Sequence, residues 1–288
     1  MAAKKRIVVF GATGQQGGSV ARALVRCLSF HVCAVTRSPE GKGARELKKI
    51  GIEVVKGDFD DIDSLRKVLD EAYGCFLVTD YFEHCDLNRE IQQGKNVVEA
   101  CKTAGVKHLV FSGLENTAGS GVHGPVPHFD GKGKIEDIIQ SIGVPCTYIR
   151  VSFYYENIIN FFPPEERENG KFSVSIPMGD KHLYMISVQD LGPCVVEIFR
   201  DPMKYVGKKI GLAGDKLTIE QLCSTLSENM ASKQFQNTEI TVEQYAKLSF
   251  PDAQFLANMF QFYQLREDDL RDVKLTRQLN PKTLSFNA

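Results

Sequence analysis

Three glycines at three-residue steps near the start of the sequence could hold a bound anion. Gly11, Gly14 and Gly17 follow the apolar run Ile7 to Phe10 and precede a stretch with helical spacing of apolar residues. A buried strand, a glycine turn and a helix N-terminus present free backbone amides and the positive end of a helix dipole. Gly11 permits the tight turn, Gly14 leaves room for a pyrophosphate and Gly17 allows close packing of the helix. The pattern predicts a dinucleotide site, and the alternative is a plain strand, turn and helix.

Arg37 ends the second predicted strand, about twenty residues beyond Gly17. A guanidinium at this position offers a charge-assisted fork to a 2′-phosphate, whereas sites that prefer NAD tend to place an acid there. Lys42 could assist the arginine, although Glu40 nearby works against it. The residues therefore predict a preference for NADP, and the alternative is a solvated arginine at a strand end.

Polar and aromatic residues also follow the third and fourth predicted strands. Asp58 could accept a hydrogen bond from the adenine amino group, and the ring of Phe59 could stack on the base. Thr79, Asp80 and Tyr81 come after the fourth strand, beside the expected path of the nicotinamide ribose. Each segment is either a ligand contact or ordinary loop structure, and the sequence leaves both interpretations open.

Ser112, His128 and Lys132 are the candidate catalytic residues. Ser112 ends the fifth predicted strand, and the other two open the next predicted helix. Here the chain resembles short-chain dehydrogenase/reductases of the extended and atypical type, which pair such a serine with Tyr-x-x-x-Lys. The tyrosine of that group passes a proton to a nascent alkoxide, and His128 stands in its place. His128 is therefore either catalytic or a polar residue at a helix start, and Lys132 is either a cofactor contact or an exposed helix charge.

Strands and helices alternate through the first half of the chain. Strands are predicted at 30–36, 53–58, 75–79, 108–112 and 145–151, and helices at 44–50, 61–72, 90–104 and 128–142. This alternation predicts an α/β fold, a Rossmann-type doubly wound parallel sheet with a smaller C-terminal α+β lobe. We place an NADP-binding Rossmann domain at 1–152 and a smaller substrate or regulatory lobe at 153–288, with about 186–213 returning to the Rossmann sheet.

Local signals organise the less regular remainder of the chain. Asn116–Pro127, rich in Gly, Ser and Pro, predicts a mobile loop, and residues 163–168 predict an exposed charged loop. Thr218 and Thr241 each open a capping box and therefore a helix. The apolar stretch Phe255 to Tyr263 predicts the core of a small lobe, with a ligand wall as the alternative.

The composition bounds the classes of partner. The 288 residues carry 35 Lys and Arg against 36 Asp and Glu, a net charge of −1 that provides no field for nucleic acid or an anionic membrane. No signal peptide or long apolar run is apparent, so we expect a cytoplasmic protein, with perinuclear or nuclear placement also open. The eight cysteines include no CxxC pair and the six histidines no HExxH spacing, so we expect reduced thiols and no metal site.

Longer motifs carry a more specific resemblance. They are VVFGATGQQGGSVARAL, VTRSPEGKGARELK, GDFDD, FSGLEN, HFDGKG, SFYYENI, ISVQDLGP, YVGKKIGL and FLANMFQFY. Together, over nearly the whole chain, they look like the NmrA-like family. The resemblance implies a dehydrogenase-like fold in a protein that binds NADP(H), acts mainly as a regulator and lacks the catalytic tyrosine.

Carried over position by position, the resemblance also implies a set of cofactor contacts. Gly11, Ala12, Thr13, Gly14, Gln15 and Gln16 would hold the pyrophosphate, Arg37 and Ser38 the 2′-phosphate, Asp58 and Phe59 the adenine, Thr79, Asp80, Tyr81 and Lys132 the nicotinamide ribose, and Tyr154, Tyr155, Glu156 and Asn157 the nicotinamide end.

Two functions of different classes follow. The first is a redox sensor whose oligomeric state and partner binding change with the level of NADPH, without dehydrogenase activity. For it the resemblance implies a homodimer and argininosuccinate synthase as a regulated partner, and we expect partner contact within Phe162–Ile198 because that segment carries an exposed charged loop. The second is an NADPH-dependent reductase of quinones or related carbonyls. The missing tyrosine favours the sensor.

Overall fold

The computed structural model describes residues 3–168, 170–230, 232–266 and 271–288. The chain divides into two compact units, each gathered from three segments. The first unit consists of Met1–Asn116, Gly131–Arg150 and Val188–Ile210, and the second of Thr117–Asp130, Val151–Ser187 and Gly211–Ala288.

Strands and helices alternate from β1 to β6, as the hydrophobic pattern predicts. The strands are β1 (Lys5–Val9), β2 (Phe30–Thr36), β3 (Glu53–Lys56), β4 (Gly74–Leu77), β5 (His108–Gly113), β6 (Cys146–Val151), β7 (Phe153–Tyr154), β8 (Glu165–Glu166), β9 (Phe172–Val174), β10 (Leu183–Ile186), β11 (Lys209–Leu212), β12 (Asp215–Leu217), β13 (Phe235–Asn237) and β14 (Arg271–Asp272). The helices are α1 (Gln15–Val25), α2 (Lys42–Lys49), α3 (Ile62–Leu69), α4 (Leu87–Thr103), α5 (Pro127–Ile142), α6 (Asn157–Asn160), α7 (Val188–Arg200), α8 (Pro202–Tyr205), α9 (Ile219–Asn229), α10 (Val242–Tyr245), α11 (Ala253–Leu265) and α12 (Val273–Leu279), with a 3₁₀ helix at Tyr81–Glu83.

The main sheet of the first unit has the strand order β3-β2-β1-β4-β5-β6-β11. The neighbours from β3 to β6 pair in parallel, for example Ile7 of β1 with Val32 of β2 and with Gly74 of β4. The order reverses at β1, whose two neighbours are β2 and β4. The predicted α/β fold with a doubly wound parallel sheet is confirmed, and the reversal creates the crevice at the carboxyl ends of the strands where such sheets bind ligands.

Burial explains why these segments form the layers of the first unit. Every residue of β4, β5 and β6 is buried, as expected for parallel strands covered on both faces. On α1 the apolar residues Val20, Ala21 and Leu24 are buried, as the helical spacing after the glycines predicts. Helix α7 lies close to α1, because a Cβ added at Gly192 would meet the Ser19 carbonyl oxygen at 2.3 Å. Helix α7 thus packs against α1, the helix that follows the glycine turn.

The second unit contains two small sheets, with strand orders β12-β10-β7 and β13-β9-β8. Its predicted aromatic core is confirmed, since Phe260 on α11 is fully buried with ring centroids of Phe162 and Tyr245 at 5.6 and 5.5 Å. Both predicted capping boxes, at Thr218 and Thr241, begin helices.

One prediction for this unit needs correction. Residues 163–168 are not a loop throughout, because Glu165–Glu166 is exposed but pairs antiparallel with β9. Among the helices of the described ranges, none combines the length and the apolar character needed to cross a bilayer.

Candidate functional site

The glycine turn joins β1 to α1 with no room for side chains at two of its positions. Gly11 has φ +64°, the left-handed region that favours glycine, and a Cβ there would lie 2.8 Å from Val78 Cγ1. A Cβ at Gly17 would lie 2.3 Å from the Gly11 carbonyl oxygen. The amide of Gly14 closes the turn by donating to that same oxygen at 2.9 Å. The backbone of the turn is therefore pressed against the first turn of the helix.

The N-terminus of α1 is suited to an anion. Its N-cap residue is Gly14, which has no side chain to accept a hydrogen bond from the first-turn amides. Within the described residues of α1, the first turn contains no acid. The helix dipole and the unsatisfied amides at such a terminus favour a phosphate group.

Gln16 connects the turn to the end of β5. The hydroxyl of Ser112 donates a 2.6 Å hydrogen bond to Gln16 Oε1, and Ser112 is buried. The structure thus brings together one predicted pyrophosphate contact and one predicted catalytic residue. This hydrogen bond links the first helical turn after the glycines to the end of β5.

The segment after β2 carries Arg37, whose guanidinium forms an ion pair with Glu83. Half of the arginine side chain remains exposed. The Ser38 amide donates to Thr36 Oγ1 at 3.2 Å, and Lys42 is the exposed first residue of α2. A Cβ at Gly43 would lie 3.3 Å from Thr13 Cβ, so α2 begins next to the glycine turn. Arg37, Ser38 and Lys42 therefore lie on a segment that borders the predicted phosphate site.

Asp58 and Phe59 form a fixed turn after β3. The Asp58 carboxylate accepts from the Asp60 amide at 3.0 Å, and its own amide donates to Ser64 Oγ at 3.0 Å. The ring of Phe59 is tilted against that of Phe10, with centroids 5.4 Å apart. Both side chains are half-buried. Loop structure accounts for these contacts, and adenine contact stays a prediction.

Lys132 lies in a buried polar cluster with Thr79 and Glu90. Its ammonium donates to the Thr79 carbonyl oxygen at 2.9 Å and to Thr79 Oγ1 at 3.3 Å, and it forms an ion pair with Glu90. The Thr79 hydroxyl in turn donates to Glu90 Oε1 at 2.7 Å. The exposed-charge interpretation of Lys132 is wrong, because only 10% of its side chain is accessible. The cluster fixes the carbonyl at the start of the Thr79–Tyr81 segment, so the lysine acts there as a positioning residue.

Glu90 is the residue of this cluster that the sequence does not reveal. Its side chain is 1% exposed, and its Oε2 has no hydrogen-bond partner within the described part of the chain. A Cβ at Gly131 would lie 2.5 Å from that oxygen, which explains the glycine next to Lys132. Position 90 looks like an ordinary acid in the first turn of a helix, where acids are common. To recognise Glu90 from the sequence, one would have to know that α4 packs against α5 at this point.

His128 lies in the second unit and is buried. Its Nε2 is 3.4 Å from Met259 Sδ, and its ring is edge-on to Phe129 with centroids 5.1 Å apart. His128 is the second residue of α5, so it is a polar residue at a helix start, and a catalytic role stays a prediction. Asp130, in the same first turn of α5, accepts from the Thr117 amide at 2.8 Å and from the Val126 amide at 3.1 Å. This carboxylate ties both ends of the predicted mobile loop to the helix.

The predicted nicotinamide-end residues also belong to the second unit. The Tyr154 hydroxyl is buried without a hydrogen-bond partner in the described ranges, and burial raises the pKa of this phenol. Glu156 Oε1 accepts from Ser187 Oγ at 2.8 Å, and the Tyr155 hydroxyl donates to the Leu284 carbonyl oxygen at 3.3 Å. Their contact with a cofactor stays a prediction.

A parallel doubly wound sheet with a glycine turn and an uncapped first helix defines the class of Rossmann-type α/β proteins. The model of the NmrA-like family matches residues 3–284, so this chain belongs to the NmrA-like family. An NmrA-like family domain-containing protein of Dictyostelium discoideum is 31% identical over 252 residues, which cover 80% of each chain. The NmrA-like oxidoreductase FrzB of Cladobotryum sp. is 34% identical over 228 residues, 71% of this chain and 67% of that protein.

Solved structures share the fold at lower identity. NmrA, a negative transcriptional regulator crystallised in complex with NADP, superposes with a TM-score of 0.84 at 22% identity, over 99% of this chain and 94% of that one. NmrA has also been crystallised with NAD. The NADPH-dependent quinone oxidoreductase QOR2 of Escherichia coli, complexed with NADPH, gives 0.80 at 24% identity, over 98% and 97% of the two chains. Proteins named as a regulator and as an oxidoreductase therefore share this fold.

Proposed function

We propose that this chain binds NADP(H) and acts as a redox sensor, with NADPH controlling its oligomeric state and its binding of a protein partner. The glycine turn and the uncapped N-terminus of α1 would hold the pyrophosphate, and Arg37 the 2′-phosphate. Crystals of NmrA with NADP support the choice of cofactor. The bound nicotinamide would supply a hydride acceptor or donor, and the residues of the chain would orient it.

One observation favours the sensor over the enzyme. The side chains that assist carbonyl reduction in related dehydrogenases either form internal contacts or are replaced here. Ser112 donates to Gln16, Lys132 contacts Thr79 and Glu90, and position 128 carries an imidazole against a thioether. A proton donor of suitable pKa within reach of the substrate is what general acid catalysis requires. We therefore assign the bound cofactor a signalling role.

The sensor is tested by titrating NADPH, NADP and NADH into the purified protein while binding and molecular mass are measured together. We expect NADPH to bind more tightly than NADH. Saturation with NADPH should change the oligomeric state of a homodimer, and therefore the measured molecular mass, and its affinity for argininosuccinate synthase. A ligand shifts such an equilibrium only by its differential affinity for the two states. Unchanged mass and unchanged partner affinity at saturation would contradict the proposal.

The proposed partner surface lies within Phe162–Ile198. Glu165 is two-thirds exposed in β8 and ion-paired with Arg167 at 3.0 Å. We expect Glu165→Lys to weaken binding of argininosuccinate synthase and leave NADPH affinity unchanged. Glu228→Lys, an exposed acid on α9, is the matched control. Equal partner affinity for the two variants would contradict this placement.

A second candidate is an NADPH-dependent reductase of quinones or related carbonyls, favoured by the oxidoreductase relatives. Its test is steady oxidation of NADPH with a panel of quinones. Removing Lys132 alone leaves the Glu90 carboxylate buried and unpaired, which destabilises the fold. The double variant Lys132→Met with Glu90→Gln removes both charges and keeps similar volumes. Turnover by the native protein that is lost in this variant would support the reductase, and the absence of turnover would exclude it for that panel.

A further inference from the structure

The ion pair between Arg37 and Glu83 links the loops on either side of β1. Arg37 follows β2 and Glu83 lies in the 3₁₀ helix that follows β4, and both strands pair with β1. The two side chains therefore meet beside the glycine turn that ends β1. In a doubly wound sheet this crevice receives the dinucleotide.

Glu83 is placed by its own turn. The Asp80 carboxylate accepts from the Phe82 amide at 3.0 Å and caps the 3₁₀ helix. Tyr81 is buried, and its carbonyl oxygen accepts from the Cys85 amide at 2.8 Å. These bonds fix the backbone on both sides of Glu83, which reduces the entropic cost of holding its carboxylate at Arg37.

The charges of the pair bear on which dinucleotide binds. A 2′-phosphate carries up to two negative charges and would form charge-assisted hydrogen bonds with the Arg37 guanidinium. Binding it displaces Glu83 from the arginine and brings two anions of like sign together, which opposes binding. The 2′-hydroxyl of NAD is a neutral donor, and acids in NAD sites accept from ribose hydroxyls. Glu83 is thus an acid that already occupies the arginine predicted to hold the 2′-phosphate.

We propose that Glu83 is a specificity-determining residue, which lowers the affinity for a 2′-phosphorylated dinucleotide by competing for Arg37. This inference rests on the proposed binding of NADP(H). It assigns Arg37 the attraction of the 2′-phosphate and Glu83 the opposing contribution. The balance between them sets how strongly NADPH is preferred to NADH.

The test is the pair of dissociation constants for NADPH and NADH in the variant Glu83→Gln. We expect the dissociation constant for NADPH to fall about three- to fivefold, the scale of one exposed ion pair. The constant for NADH should stay near that of the native protein, because NADH has no 2′-phosphate that competes for Arg37. An unchanged ratio of the two constants would overturn the inference.

Two controls separate the competition from a general change of charge. The sequence suggests that Glu40 opposes the arginine, but in the structure its side chain is 83% exposed and its carboxylate pairs with Lys48 at 2.8 Å. Glu40→Gln therefore removes an exposed acid from the same loop as Arg37. It should leave the NADPH to NADH ratio near that of the native protein. In an Arg37→Gln background, Glu83→Gln should lose most of its effect, because the shared partner is gone and only like-charge repulsion remains. An effect equal to that of Glu40→Gln, or one that persists undiminished without Arg37, would contradict the inference. Native protein that fails to bind NADPH would instead contradict the proposed function.

Discussion

At the scale of single residues, the tautomer of His108 follows from its neighbours. His108 is fully buried on β5, with Nε2 2.8 Å from Thr147 Oγ1. The Thr147 hydroxyl donates its only proton to the Tyr205 carbonyl oxygen at 2.8 Å. It must therefore accept from the imidazole, so Nε2 carries the proton. Nδ1 is buried without a hydrogen-bond partner in the described residues, and a second proton would have to go there.

This arrangement predicts a pH dependence of stability. Burial, helped by the positive charge of Lys5, lowers the pKa of His108 from 6.5 to about 4. The unfolded chain therefore binds more protons between pH 4 and 6.5, and the free energy of unfolding rises with pH in that window. The slope reaches about 1.4 kcal/mol per pH unit for one such group. The stability present above pH 6.5 is lost as the pH falls toward 4.

The measurement is urea unfolding at a series of pH values. His108→Asn should flatten the dependence between pH 4 and 6.5, whatever its effect on absolute stability. His182→Asn, a substitution of an exposed imidazole, is the control. Parallel curves for the native protein and His108→Asn would show that another group controls this window.

Residue types near the site were predictable where the chain is contiguous, and their partners were not. The glycine spacing and the arginine at a strand end are local patterns. Glu83 and Glu90 form ion pairs with Arg37 and Lys132, which lie 46 and 42 positions away along the chain. Many exposed acids have similar sequence surroundings. Only the packing of strand-end loops and helices selects these two.

At the scale of elements, the close contact between the glycine turn and α1 predicts a sharp difference between adjacent glycines. In Gly17→Ala the new Cβ would lie 2.3 Å from the Gly11 carbonyl oxygen, so the backbone must shift. We expect a loss of about 1–3 kcal/mol in the free energy of unfolding and weaker NADPH binding. In Gly18→Ala the Cβ meets the movable end of the Arg22 side chain at 2.7 Å and the Ala12 carbonyl oxygen at 3.2 Å, so only a small adjustment is needed, and alanine favours the helix by about 1 kcal/mol.

Chemical denaturation and NADPH titration of both alanine variants provide the measurement. Gly18→Ala is the matched control, one position along the same helix. Similar stability and affinity for the two variants would mean that the turn and the helix can move apart without loss.

The elements themselves were predictable where the determining signals are local. Thr218 and Thr241 begin helices because each capping box satisfies two backbone amides within four residues. Strand β8 was not predictable, since it has only two exposed residues and exists because β9 pairs with it. The same holds for Asp130, which fastens the Gly-rich loop after β5 from across thirteen positions. The composition predicts that loop, but the residue that anchors it is set by a tertiary contact and could not be predicted.

At the scale of the whole molecule, the fold class follows from the alternation of buried strands and amphipathic helices, because parallel strands require helical crossovers. The grouping of the chain into units does not follow in the same way. Each unit gathers three separate segments, so its extent depends on contacts between residues far apart in sequence. Length and composition bound the size of a domain and leave such interleaving open.

The described residues of the proposed phosphate site, from the glycine turn to Arg37, lie in the first unit, and ligand binding there predicts a global stabilisation. A ligand that binds only the native state at 100 times its dissociation constant stabilises it by about 2.7 kcal/mol. For 288 residues this raises Tm by about 4–5 °C. We expect that shift with NADPH, and a smaller one with the same concentration of NADH, which lacks the 2′-phosphate for Arg37. Gly17→Ala should lose most of the shift and Gly18→Ala should keep it. Equal shifts with both nucleotides would contradict the role of Arg37, and an undiminished shift in Gly17→Ala would mean that the nucleotide is held elsewhere.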